Sequence, residues 1–291
     1  MAHLPFPLAW GERTYIMGIL NLTPDSFSGD GLIGQADPIR AALAQARRFA
    51  AAGADILDIG GESTRPGSTP VGDQAEMDRV IPVIAAIASE LEITLSVDTY
   101  KASVAREALK AGAGWINDVW GLRADPDMAG VAAESGAPVI LMHNASRPAD
   151  AELQARLGGR YVGVHYADLL ADVSRELMES VELAKAAGVH PDRIILDPGI
   201  GFGKTVEQNL ELVDRLGEIR ALGYPVLLGP SRKGFIGYTL DLPVKERLEG
   251  TAAAVAVGIA RGADIIRVHD VTPLVRVARM ADAIVRRGTA G

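Results

Sequence analysis

The chain has 291 residues, 48% apolar and 23% charged, which is the composition of a folded globular protein with a sizeable core. A formal net charge of -8 argues against a nucleic-acid surface, which needs Lys and Arg in clustered excess. Zero cysteines exclude disulfides, thiolate metal sites and a cysteine nucleophile; with no export signal and no run near about 18 apolar residues, the expected location is cytoplasmic.

The first informative stretch is "MGILNLTPDSFSGDG", Met17 to Gly31. A strand from Thr14 to Asn21 gives way there to Thr23, Pro24, Asp25, Ser26, Ser28 and Asp30, residue types that suit a surface turn or the edge of an active site. A phrase then recurs four times: Gly-Ala, a short apolar run, a polar residue. Gly53-Ala54 leads to Asp58, Gly112-Ala113 to Asn117, Gly136-Ala137 to His143 and Gly262-Ala263 to Arg267. Each Gly ends an Ala-rich helical pattern and reads as a left-handed C′ glycine. The runs after it, apolar on successive positions, read as parallel strands buried on both faces.

Three further strands keep the rhythm: Ile93 to Thr99, Arg193 to Gly199 and Pro225 to Ser231. Helical patterns fill the intervals at about 38–52, 74–90, 101–111, 126–135, 161–187, 206–222, 246–261 and 273–288. Eight alternating units predict one (β/α)8 TIM barrel over residues 1–291, with a doubly wound open sheet as the alternative. The charged segment from Ser146 to Arg160 reads as a loop or short helix without assigned chemistry.

In such a barrel all strand C-termini open on one face, which carries the active site. The tips are Asn21, Asp58 with "GGESTRPGS", Asp98, Asn117 with Asp118, His143, Asp197, "GPSRKG", and Arg267 with His269. Singly, such residues are commonly helix caps or turn formers, and Asp118 and Asp25 fit that reading. Asp58, Asp98 and Asp197 each end an apolar run, where an unpaired carboxylate costs several kcal/mol, so a shared function explains the set better. Asp98, Asn117 and Asp197 supply acceptors and one amide for a planar, donor-rich heterocycle such as a pterin. Arg65, Lys204, Arg232, Lys233, Arg267 and His269 supply cations, partly where barrels bind phosphate. "DPGIGFGKT" is one residue too short for a P-loop; its glycines are expected to let backbone and Phe202 approach a ligand. No HExxH, GxSxG or His cluster signals a protein-held zinc or a serine hydrolase.

With "MGILNLTPDSFSGDG", "DIGGESTRPGS", "SVDT", "INDV", "MHN", "ILDPGIGFGKT", "GPSRKGFIG" and "IIRVHDV" in order, nearly the whole chain resembles the dihydropteroate synthases. These folate-pathway enzymes join a hydroxymethyl-dihydropterin pyrophosphate to p-aminobenzoate. The resemblance implies a pterin site at Asp98, Asn117, Asp197 and Lys233 with Arg267 against the ring. It implies a pyrophosphate site at Asn21, Thr64, Arg65, Arg267 and His269, Asn21 also helping to hold Mg2+, and a p-aminobenzoate pocket at Phe27, Thr64, Pro66, Phe202, Ser231 and Lys233. Asn21, Arg65, Asp98, Lys233, Arg267 and His269 are the candidate catalytic residues, and a homodimer through late helices is implied. Two departures stand beside the matches: "SGDG" at Ser28 to Gly31 where the family usually reads "SDGG", and Asn144 where Met is usual. Two other readings share the acceptors: a barrel handling methyltetrahydrofolate for corrinoid methyl transfer, which would not need the cations of "PSRKG" and "RVH", and an idle pterin-binding paralogue, which would lose Asn21, Asp25, Phe27, Thr64 and Arg65.

Overall fold

The computed structural model describes residues 8–23, 37–64 and 68–286. In chain order the elements are β1 (Tyr15–Asn21), α1 (Pro38–Ala52), β2 (Ile56–Gly60), α2 (Asp73–Glu90), β3 (Thr94–Asp98), α3 (Ala102–Ala111), β4 (Trp115–Asp118), α4 (Met128–Ser135) and β5 (Val139–Met142). There follow β6 (Ala151–Gln154), β7 (Gly158–Tyr161), α5 (Leu169–Ala187), β8 (Ile194–Asp197), α6 (Val206–Asp214) and α7 (Leu216–Arg220). The chain finishes with β9 (Leu227–Leu228), α8 (Gly234–Leu240), α9 (Leu248–Ala260), β10 (Ile265–Val268) and α10 (Val271–Val285).

Eight parallel strands run in the order β8-β5-β4-β3-β2-β1-β10-β9. A parallel bridge between Leu196 and Val226 joins the two ends of that series, so the barrel expected from the strand–helix alternation is present and the open-sheet alternative falls away. The four glycines that end the repeated phrase are left-handed, with φ of 97° at Gly53, 118° at Gly112, 64° at Gly136 and 101° at Gly262. At that φ an L side chain strains the backbone, which is why Gly stands at each helix-to-strand turn.

Strand alternation sorts the side chains. Tyr15, Met17, Ile56, Trp115, Ile140, Ile195, Leu227 and Ile265 form one buried cluster with Leu8, filling the barrel interior at the N-terminal ends of the strands. Intervening residues such as Leu57, Ile59, Leu95 and Val97 pack outward against α2 and α3. Period-two geometry then dictates the next layer: two residues beyond Ile56 comes Asp58, and two beyond Ile265 comes Arg267. The apolar interior therefore supports a polar layer directly above it.

Three expectations need correction. Residues 146–160 are not a simple loop or short helix: after a 3-10 turn at Pro148–Asp150, β6 and β7 form an antiparallel hairpin pairing Ala151 with Tyr161 and Gln154 with Gly158. Its three-residue loop, 155–157, is followed by left-handed Gly158, φ 72°, a hairpin type that alternating hydrophobicity does not announce in "AELQARLGGRY". The helix expected from 161 starts only at Leu169, because Tyr161 is claimed by β7 and Asp168 caps the helix by accepting Ala171 N at 3.1 Å. The segment 206–222 divides at Arg215, and α8 is an additional helix that begins within the motif "GPSRKGFIG".

Candidate active site

The polar layer is built around Asp58, which is fully buried. Its Oδ2 accepts hydrogen bonds from Arg267 Nε at 2.6 Å and Asn117 Nδ2 at 2.9 Å. Arg267 Nη2 donates to Asp98 Oδ2 at 2.5 Å. One guanidinium thus ties β10 to β2 and β3, and Asn117 adds β4. Such a buried network is stable only when its charges meet partners, which is why these residues occur together. Burial pushes the Asp98 carboxyl up to about 7 against the pull of Arg267. The same carboxylates hold Arg267 charged despite its burial.

Beyond β8 the chain makes the glycine-rich turn. Asp197 Oδ1 accepts Gly199 N at 2.7 Å, and burial raises its pKa above the ordinary value. Lys204, only 1% exposed, places Nζ 3.0 Å from both the Gly199 and Phe202 carbonyls and 2.9 Å from His143 Nδ1. Burial brings the Lys204 ammonium down to about 7. Burial, then Lys204, takes His143 to about 4, so its ring is neutral. The glycines serve this close packing: a Cβ on Gly199 would lie 1.8 Å from the His143 carbonyl, and one on Gly203 2.3 Å from the Ala145 backbone. Gly201 and Phe202 of the same turn also line the cavity.

Beyond β9, Lys233 Nζ donates to the Ile200 carbonyl and lies 4.6 Å above the Phe202 ring. Ser231 Oγ is 3.0 Å from His269 Nδ1 and accepts His269 N at 3.2 Å. Arg232 is bidentate to Asp270, at 2.9 and 2.6 Å. Across the site, buried Lys101 bonds Glu62, Glu76 and the Val71 carbonyl, while Tyr100 donates to Glu62 at 2.9 Å. That cluster ties down the chain on either side of Thr64.

One cavity of about 460 Å³ is lined by Asn21, Thr64, Asp98, Phe202, Ser231, Lys233, Arg267 and His269. Eight of the residues singled out from sequence therefore meet in one space. Asn117 and Asp197 are buried, within the polar layer and under the glycine-rich turn respectively. Phe27, Arg65 and Pro66, with Pro24, Asp25 and the "SGDG" departure, lie outside the described residues. Among the cations, Arg267 is paired with Asp58 and Asp98, Arg232 with Asp270, and Lys204 bonds carbonyls. Asp118 is a turn former, accepting Trp120 N and Leu122 N at 2.8 Å each. Asn144, the second departure, has a local task too: its Oδ1 accepts Ser146 N at 2.9 Å.

Asp58, grouped with Asp98 and Asp197 by its place after an apolar run, takes the role of holding Arg267 and Asn117. One further site residue carries no sequence signal. Arg247, 1% exposed, donates to the carbonyls of Arg232 and Lys233 at 3.0 and 3.3 Å, and to those of Leu157 and Leu242. Nothing in "VKERLEG" marks it, since an Arg at a helix start is ordinarily solvated.

Residues 17–269 match the family described as pterin binding enzyme. A dihydropteroate synthase of Bacillus subtilis (strain 168) is 53% identical over 284 residues, covering 98% of this chain and 93% of its own. Among solved structures, a Clostridium difficile dihydropteroate synthase crystallised in the presence of pteroic acid superposes with a TM-score of 0.86 at 48% identity, covering 96% of this chain and all of its own. A Xanthomonas albilineans dihydropteroate synthase with 4-aminobenzoic acid gives 0.83 at 42% identity, covering 94% of each chain.

Proposed function

This chain belongs to the dihydropteroate synthases, transferases of folate biosynthesis within the pterin-binding enzymes, and from that membership we propose how its cavity joins a hydroxymethyl-dihydropterin pyrophosphate to p-aminobenzoate. The observation that carries the reading is Asp98. It lines the cavity while its Oδ2 accepts Arg267 Nη2, and that guanidinium is held from behind by Asp58, whose Oδ2 also accepts Asn117 Nδ2. An ionised carboxylate so placed accepts two parallel N–H bonds from a pterin's amino-pyrimidine edge. Asn117, Asp197 and Lys233 complete that end, and the planar Arg267 guanidinium lies against the ring.

Pyrophosphate is then held by Asn21, Thr64, Arg65, Arg267 and His269. Among the described residues there is no group of three His, Cys, Asp or Glu that could hold a metal ion, and the two carboxylates nearest Arg267 are committed to it. Asn21, an oxygen donor lining the cavity, therefore fits Mg2+ shared with substrate phosphates and water rather than held by protein alone. When bound, Mg2+ would offset charge on the leaving pyrophosphate. The C–O bond to pyrophosphate breaks as positive charge grows on the exocyclic carbon, which the pterin, held at Asp98 and Asp197, tolerates. The neutral aryl nitrogen, placed by Phe202, Ser231 and Lys233 with Phe27, Thr64 and Pro66, attacks that carbon and then loses a proton. Positioning and fixed charge supply the rate enhancement, with no covalent enzyme intermediate.

Pyrophosphate release from the pterin substrate, measured with and without p-aminobenzoate, tests this. Release that depends on p-aminobenzoate and yields dihydropteroate is expected. Pyrophosphate release without any dihydropteroate when both substrates are present would overturn the reading. Exposed Val257 on α9 and Met280, Ile284 and Val285 on α10 support assembly as a homodimer, which sedimentation would show as a species of twice the chain mass. No helix among the described residues is long and apolar enough to cross a membrane, and the cysteine-free composition supports a cytoplasmic location.

A further inference from the structure

The β6–β7 hairpin lines the same cavity as the catalytic residues. Leu153, Gln154, Ala155, Leu157, Gly158, Gly159, Arg160 and Tyr161 share it with Phe202, Ser231 and Lys233. The hairpin is fastened there from several sides. Arg247 Nη2 donates to the Leu157 carbonyl at 2.8 Å while its Nη1 donates to the Arg232 and Lys233 carbonyls. Tyr238 of α8 donates to the Gly158 carbonyl at 3.1 Å, and the Arg160 guanidinium stacks 4.7 Å over the Tyr238 ring. Arg156 donates to the Asp241 carbonyl at 2.8 Å. The approach is close: a Cβ on Gly234 would lie 2.3 Å from the Gly159 carbonyl oxygen. One buried guanidinium therefore sets the position of the hairpin relative to Lys233.

That placement has a consequence for the second substrate. The reacting nitrogen of an aryl amine must face the pterin, on the side of Asp98 and Arg267. Its para substituent then points to the opposite side of the ring, out of the barrel and toward the hairpin. We propose that the β6–β7 hairpin is the wall that selects the aryl amine by the size of its para substituent, admitting a carboxylate and resisting a longer amide-linked group. The side chain that does this is Leu153, which lines the cavity and is otherwise 65% exposed. Because Arg247, Tyr238 and Arg156 fix the hairpin to α8 and its flanks, the wall does not retreat before a larger group.

This inference rests on p-aminobenzoate occupying the Phe202, Ser231 and Lys233 end of the cavity. The test compares two amines, p-aminobenzoate and N-(4-aminobenzoyl)glycine, in the native enzyme and in Leu153→Gly and Leu153→Trp. An exposed side chain is changed, so all three proteins are expected to fold, and thermal melts check this. The readout is the ratio of kcat/KM for the longer amine to that for p-aminobenzoate. A few atoms gained or lost at a pocket wall typically alter discrimination by about tenfold or more. The ratio is expected to rise about tenfold in Leu153→Gly and to fall about tenfold in Leu153→Trp. Ratios at the native value in both variants, or shifted in the same direction in both, overturn the wall. If the native enzyme makes no dihydropteroate from p-aminobenzoate, the functional reading falls and this inference with it.

Discussion

The floor of the cavity and the part of its rim carried by Lys204, Lys233 and Arg247 hold their cations in opposite ways. In the floor, Arg267 meets carboxylates, Asp58 at 2.6 Å and Asp98 at 2.5 Å, all three carried on strands. In the rim, Lys204, Lys233 and Arg247 meet backbone carbonyls belonging to turns. A carboxylate partner fixes charge, and a carbonyl partner fixes the path of the chain. The floor is thus arranged to present a defined electrostatic surface to a heterocycle. The rim is arranged to hold loops at set positions around the second substrate.

The sharpest way to break this contrast is Arg267→Ala. It leaves Asp58 and Asp98 buried without their counter-charge, so a stability loss of about 3–5 kcal/mol is expected in urea denaturation. Turnover should fall by about three orders of magnitude or more, because the positive charge that stabilises the leaving pyrophosphate is lost as well. Arg267→Ala combined with Asp58→Asn should recover part of the stability and none of the rate. Near-normal turnover in the single variant would remove Arg267 from the chemistry.

Asp98 sharpens the contrast through pH. Its carboxyl sits at about 7 in the folded chain against an ordinary 3.8. Between those values the folded state holds a proton that the unfolded chain has released. The stabilisation from that proton is complete below about 4 and is lost as pH rises through 7. In the proposed role Asp98 accepts the pterin's N–H bonds in its ionised form, so kcat/KM for the pterin substrate should rise about tenfold per pH unit up to a plateau beginning near 7. Stability and activity therefore move in opposite directions over one window. In Asp98→Asn both profiles should flatten, with kcat/KM down about a hundredfold at pH 8. A limb near 7 that survives in Asp98→Asn would assign it to another group.

The two regions also differed in how far they could be read from sequence. The floor was legible because strands carry a strict period of two and because Asp98, Asn117, Asp197 and Arg267 each end an apolar run, where a polar residue needs a reason. The pairing of Arg267 with Asp58 and Asp98 was not legible. It joins positions separated by 209 and 169 residues and depends on strand register. The rim was less readable still. Lys204 and Lys233 stand in motifs that suggest anion binding, yet both donate to carbonyls, and Lys204 lies beside a neutral His143. Carbonyl partners carry no sequence signature. The hairpin and Arg247 escaped for the same reason, since their bonds run to the backbone of Leu157, Arg232, Lys233 and Leu242.

Arg247→Met tests the rim as such. The four carbonyls lose a buried donor, and a stability loss of about 3 kcal/mol is expected. If the floor is independent of the rim, the KM for p-aminobenzoate should rise about tenfold while that for the pterin substrate stays within twofold. Gly237→Ala approaches the same group from the other side, since a Cβ there would lie 2.0 Å from Arg247 Nη2. It should shift the two KM values in the same pattern. A pterin KM that moves equally in both variants would show the two regions to be one unit.

The smallest expected effect comes from Thr205, one residue beyond Lys204. Thr205 Oγ1 accepts Gln208 N at 3.3 Å while Gln208 Oε1 accepts Thr205 N at 2.8 Å, a reciprocal cap at the start of α6. Thr205→Ala removes one half of it, and a loss of about 1 kcal/mol is expected from urea midpoints. Lys204 keeps its own bonds to the Gly199 and Phe202 carbonyls, so the turn facing the cavity should hold its path and steady-state constants should stay within twofold. If a lost cap instead raised the KM for p-aminobenzoate as Arg247→Met does, rim geometry would depend on α6 itself. The carbonyl-bound cations would then be followers of the helix rather than the groups that set the loops.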